Sequence, residues 1–425
     1  MEDNKFIVIM SVDLNNKKLL ILGGNALSVD IVKQANKMGI HTIVTDWNSV
    51  KDSPAKLLAN EYWNISLLDY DALSTKIKAE HIDGIITGFT DSYLLPYQHL
   101  CEICNLPCYA TKQQFELTLD KALFKATCKE FGVPTVPEFQ IDTIDKSSIS
   151  TTNKVILKPV DNSGSRGICI CDSPDTFEEK LAYAQSFSAK KHVIIEQYMD
   201  CEDVSFEYKI QDGEVFLSAI CDREIYKTSE FGSITSKLIY PSKHTNTYLQ
   251  DVNNKVADMF RALNLSNGVL FMQAFVKDGH FYFYEMGYRL SGGRHYIFTE
   301  NQNTTNACKE LIHFALIGKM ATLQLSQIAK PDFSDLCIQL SMICQSQTIH
   351  HIEGWDYIMK IRQIIDATKY FEEGDTIGQQ GTTASIFARL HIVCKNEQEY
   401  SNVLHEIKSN LKVYNALNEN IIIDL

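Results

Sequence analysis

No stretch of the chain approaches the roughly 20 consecutive apolar residues that a membrane-crossing helix requires. The N-terminal MEDNKFIVIMSVDLNNKK opens with acids and has no small-residue cleavage site, so neither a membrane partner nor a signal peptide is expected. A basic excess is also missing: 53 acidic against 40 basic residues leave a formal charge of -13, and the lysines are scattered. Neutralising nucleic-acid phosphates needs a basic field, so no nucleic-acid partner is expected and any anionic ligand must be held by local groups. Beside Cys101, Cys104 and Cys108 there is no second CxxC and no histidine pair, which leaves a zinc site short of four ligands. Most of the twelve cysteines sit inside apolar runs (Cys169, Cys171, Cys337, Cys344, Cys394), where a reduced thiol acts as a small hydrophobe. A cytoplasmic location fits these absences. Internal repeats and low-complexity linkers are lacking too.

What is present is an ordinary globular composition, 45% apolar and 22% charged, over 425 residues, enough for two or three domains with proper cores. KKLLILGGN reads as a buried strand ending in glycines. ALSVDIVKQANKMG follows as a helix stopped at Gly39, then IHTIVTDW as a second strand. The alternation continues, so residues 17 to about 110 predict an open parallel sheet. The three-glycine fingerprint of a dinucleotide site is incomplete, with only Gly23 and Gly24 in the first turn, and a tight strand-to-helix turn is the simpler reading. Asp46 stands where a ribose-binding acid would sit.

From residue 111 the texture becomes α+β. LDKALFKATCKEFGVP predicts a helix capped by Asp120 and stopped at Gly132. Two hairpins turning at Asp212-Gly213 and Asp278-Gly279 are expected, with an irregular segment over 227–247 between them and one helix over 248–264. The chain closes with strand ASIFARLHIVCK, a helix and a terminal strand NIIIDL.

The chemistry concentrates in VILKPVDNSGSRGICIC, where Lys158 ends an apolar run before a glycine and serine loop. Backbone amides and hydroxyls of such a loop donate to phosphate oxygens at little steric cost, and a strand lysine supplies a point charge. Lys121 opening a helix comes before it, and IIEQYM, DVSFE and YFYEMGYRLSGG follow in that order. This succession resembles the ATP-grasp superfamily, and in particular its carboxylate-amine ligases of the carbamoyl phosphate synthase large-chain type.

The resemblance implies three parts: an N-terminal pre-ATP-grasp parallel-sheet domain (residues 1–110), a central two-lobed ATP-grasp domain (111–320) and a small C-terminal α+β domain (321–425). It implies ATP and magnesium, or manganese, as cofactors, small-molecule carboxylate and amine substrates, and a homodimer as a fair family expectation. Lys121 and Lys158 then look like the lysines on the ATP phosphates, and Ser163, Gly164, Ser165, Arg166 and Gly167 like the closing loop. Glu196, Gln197, Tyr198 and Met199 resemble the adenine hinge, and Asp203 the ribose acid. The family's metal pattern, an acid on one strand and Glu-x-Asn-x-Arg on the next, falls here on Gln273, Glu285, Gly287 and Arg289, so two of three metal positions have departed. Glu285 with the amide oxygen of Gln273 is the expected metal pair. Lys158 and Arg289 are the expected catalytic residues, with Arg289 on a phosphoryl oxygen. Arg223, Lys227 and Arg294 are expected around the substrate, with His295 nearby. The activity implied is an ATP-dependent ligase; a catalytically impaired nucleotide-binding protein and a small-molecule kinase on the same fold are the alternatives.

Overall fold

The computed structural model describes residues 13–161, 167–228, 232–320 and 328–423. The N-terminal part alternates as its apolar periodicity predicts: β1 (Lys18–Leu22), α1 (Ser28–Lys37), β2 (His41–Thr45), β3 (Glu61–Trp63), α2 (Tyr70–Ala79), β4 (Gly84–Ile86) and α3 (Leu94–Cys104). The strands form a parallel sheet in the order β3-β2-β1-β4. Strands β1 and β2 are buried over four of their five residues, as a sheet covered on both faces requires. Strand β3, at the edge, is short and was not foreseen.

The first turn is a packing device. Asp46 accepts from the Gly24 amide at 2.7 Å and from Ser53 Oγ at 2.6 Å, and lies 2.8 Å from Lys56 Nζ. A Cβ on Gly24 would come within 2.0 Å of that Ser53 oxygen. The acid at the end of β2 is therefore fully engaged by protein groups, which supports the simple-turn reading of the two glycines.

The central part starts with α4 (Lys112–Leu119) and α5 (Lys121–Glu130); Asp120 caps α5 by accepting from the amides of Ala122 and Leu123. A small antiparallel sheet follows, built from β5 (Glu138–Phe139), β6 (Val155–Pro159), β7 (Cys169–Cys171) and β8 (Val193–Gln197) in the order β5-β8-β6-β7, with α6 (Phe177–Ser186) packed on it. The chain then enters a larger sheet through β9 (Glu202–Gln211), β10 (Glu214–Thr228) and β11 (Gly232–Tyr240). Helices α7 (Thr245–Asp251) and α8 (Asn253–Ala262) come next, then β12 (Gly268–Lys277), β13 (His280–Gly287), α9 (Tyr296–Asn303) and α10 (Ala307–Ile317). Asp212-Gly213 and Asp278-Gly279 form the two predicted hairpin turns, each residue at positive φ.

Two expectations need correction. Within 227–247, residues 232–240 are the strand β11, which pairs along the whole outer half of β10, and Thr245 opens α7. The helix expected over 248–264 is two helices broken at Val252.

The C-terminal part adds β14 (Leu336–Ile343), β15 (His351–Glu353), α11 (Trp355–Ile358), β16 (Ile364–Lys369), β17 (Ile386–Cys394), α12 (Glu397–Asn410) and β18 (Lys412–Tyr414). Three of these strands continue the larger sheet, which runs β13-β12-β9-β10-β11-β14-β17-β16. The region after residue 320 thus has its own apolar core beneath β14 and β17 but shares a hydrogen-bonded sheet with the centre through β11 and β14. Residues 420–423 make isolated bridges in place of the terminal strand. The chain is a mixed α/β and α+β fold, as expected, with one core joining the N-terminal sheet to β9, β12 and β13.

Candidate active site

Antiparallel pairing brings the predicted residues onto one face. Gln273 on β12 lies directly opposite Glu285 on β13, and Gln273 lies opposite Ser205 on β9. Residues opposite in register share a sheet face, so Glu285, Gln273 and Ser205 form a row. One row along, Asp203 pairs with Arg223 of β10. The Arg223 guanidinium reaches both Asp203 oxygens, at 3.0 and 2.9 Å, and also meets the Tyr284 hydroxyl, which donates to Asp203 at 3.0 Å. Burial pushes the Asp203 carboxyl above its ordinary value, with Arg223 and Tyr284 opposing.

Across from this face, Lys158 on β6 is buried and donates to Glu196 Oε2 at 2.6 Å, its ammonium 5.5 Å from the centre of the Tyr284 ring. Glu196 on β8 accepts at its other oxygen from Lys125 of α5, at 2.7 Å, and Lys125 also reaches Val136 O and Glu138. Burial works against the Glu196 charge, but Lys158 and Lys125 outweigh it and hold the carboxyl below its usual range. Lys121, in the first turn of α5, is lowered from the ordinary lysine value by burial; Glu285 opposes this and Lys158 reinforces it, with Asp91 and Glu196 also in its field. Lys121, Lys158 and Glu285, from three different elements, therefore converge.

Arg289 follows β13 and makes a two-point ion pair with Asp91, Nε to Oδ1 at 2.6 Å and Nη2 to Oδ2 at 2.7 Å. Its guanidinium also stacks 4.8 Å from the centre of the Phe271 ring. Phe271 explains the missing asparagine at Gly287: the two residues are cross-strand partners, and a Cβ at 287 would lie 2.2 Å from Phe271 Cε1. The ring occupies the space that an asparagine side chain needs.

A scan of known protein families matches residues 151–295 to the ATP-grasp domain. The chain carries an ATP-grasp domain. Formate-dependent phosphoribosylglycinamide formyltransferase of Francisella tularensis is 28% identical over 227 residues, covering 49% of this chain and 55% of the relative. The same-named protein of Psychromonas ingrahamii is 27% identical over 289 residues, covering 64% and 68%. The chain spans about half the length of the first of these curated relatives. Among solved structures, L-amino acid ligase from Bacillus licheniformis superposes with a TM-score of 0.76 at 18% identity, covering 94% of this chain and 99% of that one. Phosphoribosylglycinamide synthetase from Anaerococcus prevotii gives 0.74 at 19% identity, over 94% and 100%. Similarities at this identity speak for the shared fold.

Within the ATP-grasp frame several assignments change. The amides of Gln197 and Tyr198 donate to Pro137 O and Lys154 O, each at 3.0 Å, so neither amide is available to adenine. Glu196 acts through its carboxylate between two lysines, a different part from the backbone role expected of it. Arg294 is removed from the substrate set: it is buried, pairs with Asp30 at 2.6 Å and Asp366 at 3.1 Å, and bonds Thr368, tying α1 to β16. Lys227 forms an exposed pair with Asp200 at 2.6 Å, which draws its pKa upward. Gly167, at φ +76°, abuts Phe187, while Ser163, Gly164, Ser165 and Arg166 lie outside the described residues.

Among the described residues no three His, Cys, Asp or Glu side chains gather as a metal cage. Glu285 and Gln273 still offer two hard oxygen donors on one face. That set fits a single magnesium ion completed by waters and phosphate oxygens, the usual condition of a nucleotide-bound ion. Sequence reasoning missed Lys125, Asp91, Tyr284 and Phe271. Of these only Lys125, one helical turn after Lys121, carried a signal in its i, i+4 spacing.

Proposed function

We propose that this ATP-grasp protein is an ATP-dependent ligase that joins a carboxylate to an amine through an acyl phosphate. The observation that carries this reading is the convergence of Lys121, Lys158 and Glu285 beside the Gln273 pair, a cluster of cations and one metal carboxylate. Such a set positions and neutralises phosphates and leaves bond making to the substrates. A substrate carboxylate oxygen bonds to the γ-phosphorus as the bond to ADP breaks. The amine nitrogen then adds to the acyl carbon, phosphate leaves, and the nitrogen gives up a proton to solvent.

Lys158 and Lys121 hold the phosphates, and their charges oppose oxygen charge as it moves from γ-phosphate to ADP. Arg223 stays protonated, because Tyr284 and Asp203 outweigh its burial, and presents a fixed cation beside the metal pair. Arg289, gripped by Asp91, supplies a second. A magnesium ion on Glu285 and Gln273 would neutralise charge on the phosphates.

The second reading, a nucleotide-binding protein without turnover, is favoured by one observation: the metal pattern is reduced to a single carboxylate, with Phe271 closing the Gly287 position. ADP release decides between them. Pairs of candidate acids and amines with ATP and magnesium should release ADP only when both are present. Release with a single acceptor would indicate a kinase, and none with any combination would indicate a binding protein.

A further inference from the structure

The inner face of the larger sheet carries a polar row that runs well past the nucleotide end. Asp203, Arg223, Leu238, Gln339, His391 and Asp366 are successive cross-strand partners across β9, β10, β11, β14, β17 and β16, with a bulge in β16 just before Asp366. The next row holds Ser341, Arg389 and Thr368. The opposite face of β14 and β17 is apolar and forms the C-terminal core. The polar side is therefore built to meet something other than that core. The segment Ser291 to His295 lies over it, with Gln339 donating to Gly293 O at 2.7 Å and Arg389 Nη1 to Gly292 O at 3.1 Å.

The charges along this face are unevenly matched. Arg223 is answered by Asp203, Arg289 by Asp91, and Arg294 by Asp30 and Asp366. Among the described residues, no carboxylate lies within ion-pair reach of Arg389, whose buried Nε has no hydrogen-bond partner. Tyr370 OH, whose ring centre is 5.9 Å from the Arg389 guanidinium carbon, and His295 Nε2, whose other ring nitrogen is bonded to Tyr240, are also without hydrogen-bond partners, whereas Asp366 Oδ2 and His391 Nδ1 face each other at 3.2 Å. Burial, with Arg223 and His391 adding to it, holds His295 neutral, down to about 3, so it offers a hydrogen bond and no charge. Buried polar atoms without partners are uncommon and call for an explanation.

Resting on the ligase reading, we infer that Arg389 binds a carboxylate carried by the amine substrate itself, so that the acceptor is an amino acid. Arg223, whose strand lies three spacings or about 14 Å from that of Arg389, is already answered by Asp203, so the anion that Arg389 lacks is a separate one. The acid to be activated belongs at the Lys121, Lys158 and Glu285 end, and the second cation awaits a second anion. A single uncompensated positive charge matches a carboxylate, whereas a phosphate monoester brings nearly two negative charges.

The test is ADP release over pairs of the twenty L-amino acids, with each acceptor also offered as its α-amide. Acids are expected to serve and amides to fail. Arg389→Gln should raise the acceptor KM at least tenfold, with the ATP KM unchanged, and Arg389→Lys should recover part of it. Unchanged ATP affinity in the variants certifies folding. Amides as effective as acids, or an acceptor KM indifferent to Arg389→Gln, overturn the assignment. If no pair releases ADP, the ligase reading is decided separately by the wider screen of acids and amines, and thermal-shift binding of the same amino acids and amides, with ADP present, decides the site. No shift by any amino acid, or a shift that persists in Arg389→Gln, overturns it.

Discussion

Replacing Glu196 by Gln puts the lysine pair of the active site under a defined load. The carboxylate accepts from Lys158 at one oxygen and Lys125 at the other, at 2.6 and 2.7 Å, with all three side chains buried. An amide keeps one acceptor oxygen and turns a donor toward the other lysine, leaving two buried ammonium groups with Glu138 as the remaining acid beside Lys125. Breaking a buried ion pair from one side costs about 3–5 kcal/mol. One lysine can escape by releasing its proton, which at pH 7 costs about 4.6 kcal/mol from an ordinary pKa near 10.4, so the loss is capped in that range.

The sign with pH follows. In the variant a lysine pKa is depressed on folding, so the deficit is largest near neutrality and shrinks as pH rises toward 10. In the parent the Glu196 pKa is lowered on folding. Its contribution is present above the unfolded value, near 4.3, and fades as pH falls through the folded one. Urea unfolding at pH 7 and pH 9.5 measures the first effect, and unfolding of the parent from pH 5 downward measures the second. ATP phosphates should substitute for the lost carboxylate, so saturating ATP should stabilise the variant more than the parent. A deficit below about 1 kcal/mol at pH 7, or one that grows with pH, would refute the reasoning that Glu196 is the shared counter-ion of two charged lysines.

Three other outcomes are expected. Lys158→Ala removes a charge-assisted phosphate contact worth about 1.5–3 kcal/mol, so the ATP Kd by calorimetry should rise roughly tenfold or more; unchanged affinity removes Lys158 from the phosphate site. Glu285→Gln should abolish magnesium-dependent ADP release while Gln273→Glu tightens magnesium, and a parent that turns over equally well in chelator sinks the metal pair. Gly287→Asn, which restores the family residue on paper, should destabilise by about 1–3 kcal/mol through its clash with Phe271 and gain no metal affinity. Pairing it with Phe271→Ala tests the steric argument, since the double variant should recover the urea midpoint relative to Phe271→Ala alone.

Much of the fold was readable because its signals are local. The Asp120 cap, the helix stop at Gly132 and the two Asp-Gly hairpins depend on residues a few positions apart, and each appears where expected. Strand β11 was read as irregular because its identity comes from two neighbours, β10 and β14, one of them about a hundred residues away. Helix α8 was merged with α7 because a break at Val252 carries no Gly or Pro.

For the site, the order of motifs singled out Lys121, Lys158, Gln273 and Glu285, because a strand lysine or a cross-strand pair is encoded by spacing along the chain, and the fold brings the four together. The partner of each charge was decided in three dimensions. Arg289 meets Asp91, 198 positions away, and Arg294 meets Asp30, 264 positions away. Neither sequence neighbourhood hints at the other. Hence a basic residue near a glycine pair reads the same whether it grips a substrate or braces two domains. The sequence by itself determined which groups could carry phosphate chemistry, since that rests on residue type and local geometry. Only the tertiary structure decided which cations are neutralised by protein carboxylates and which, like Arg389, have none within reach among the described residues, because ion pairing falls off within a few ångströms and distance is a property of the fold.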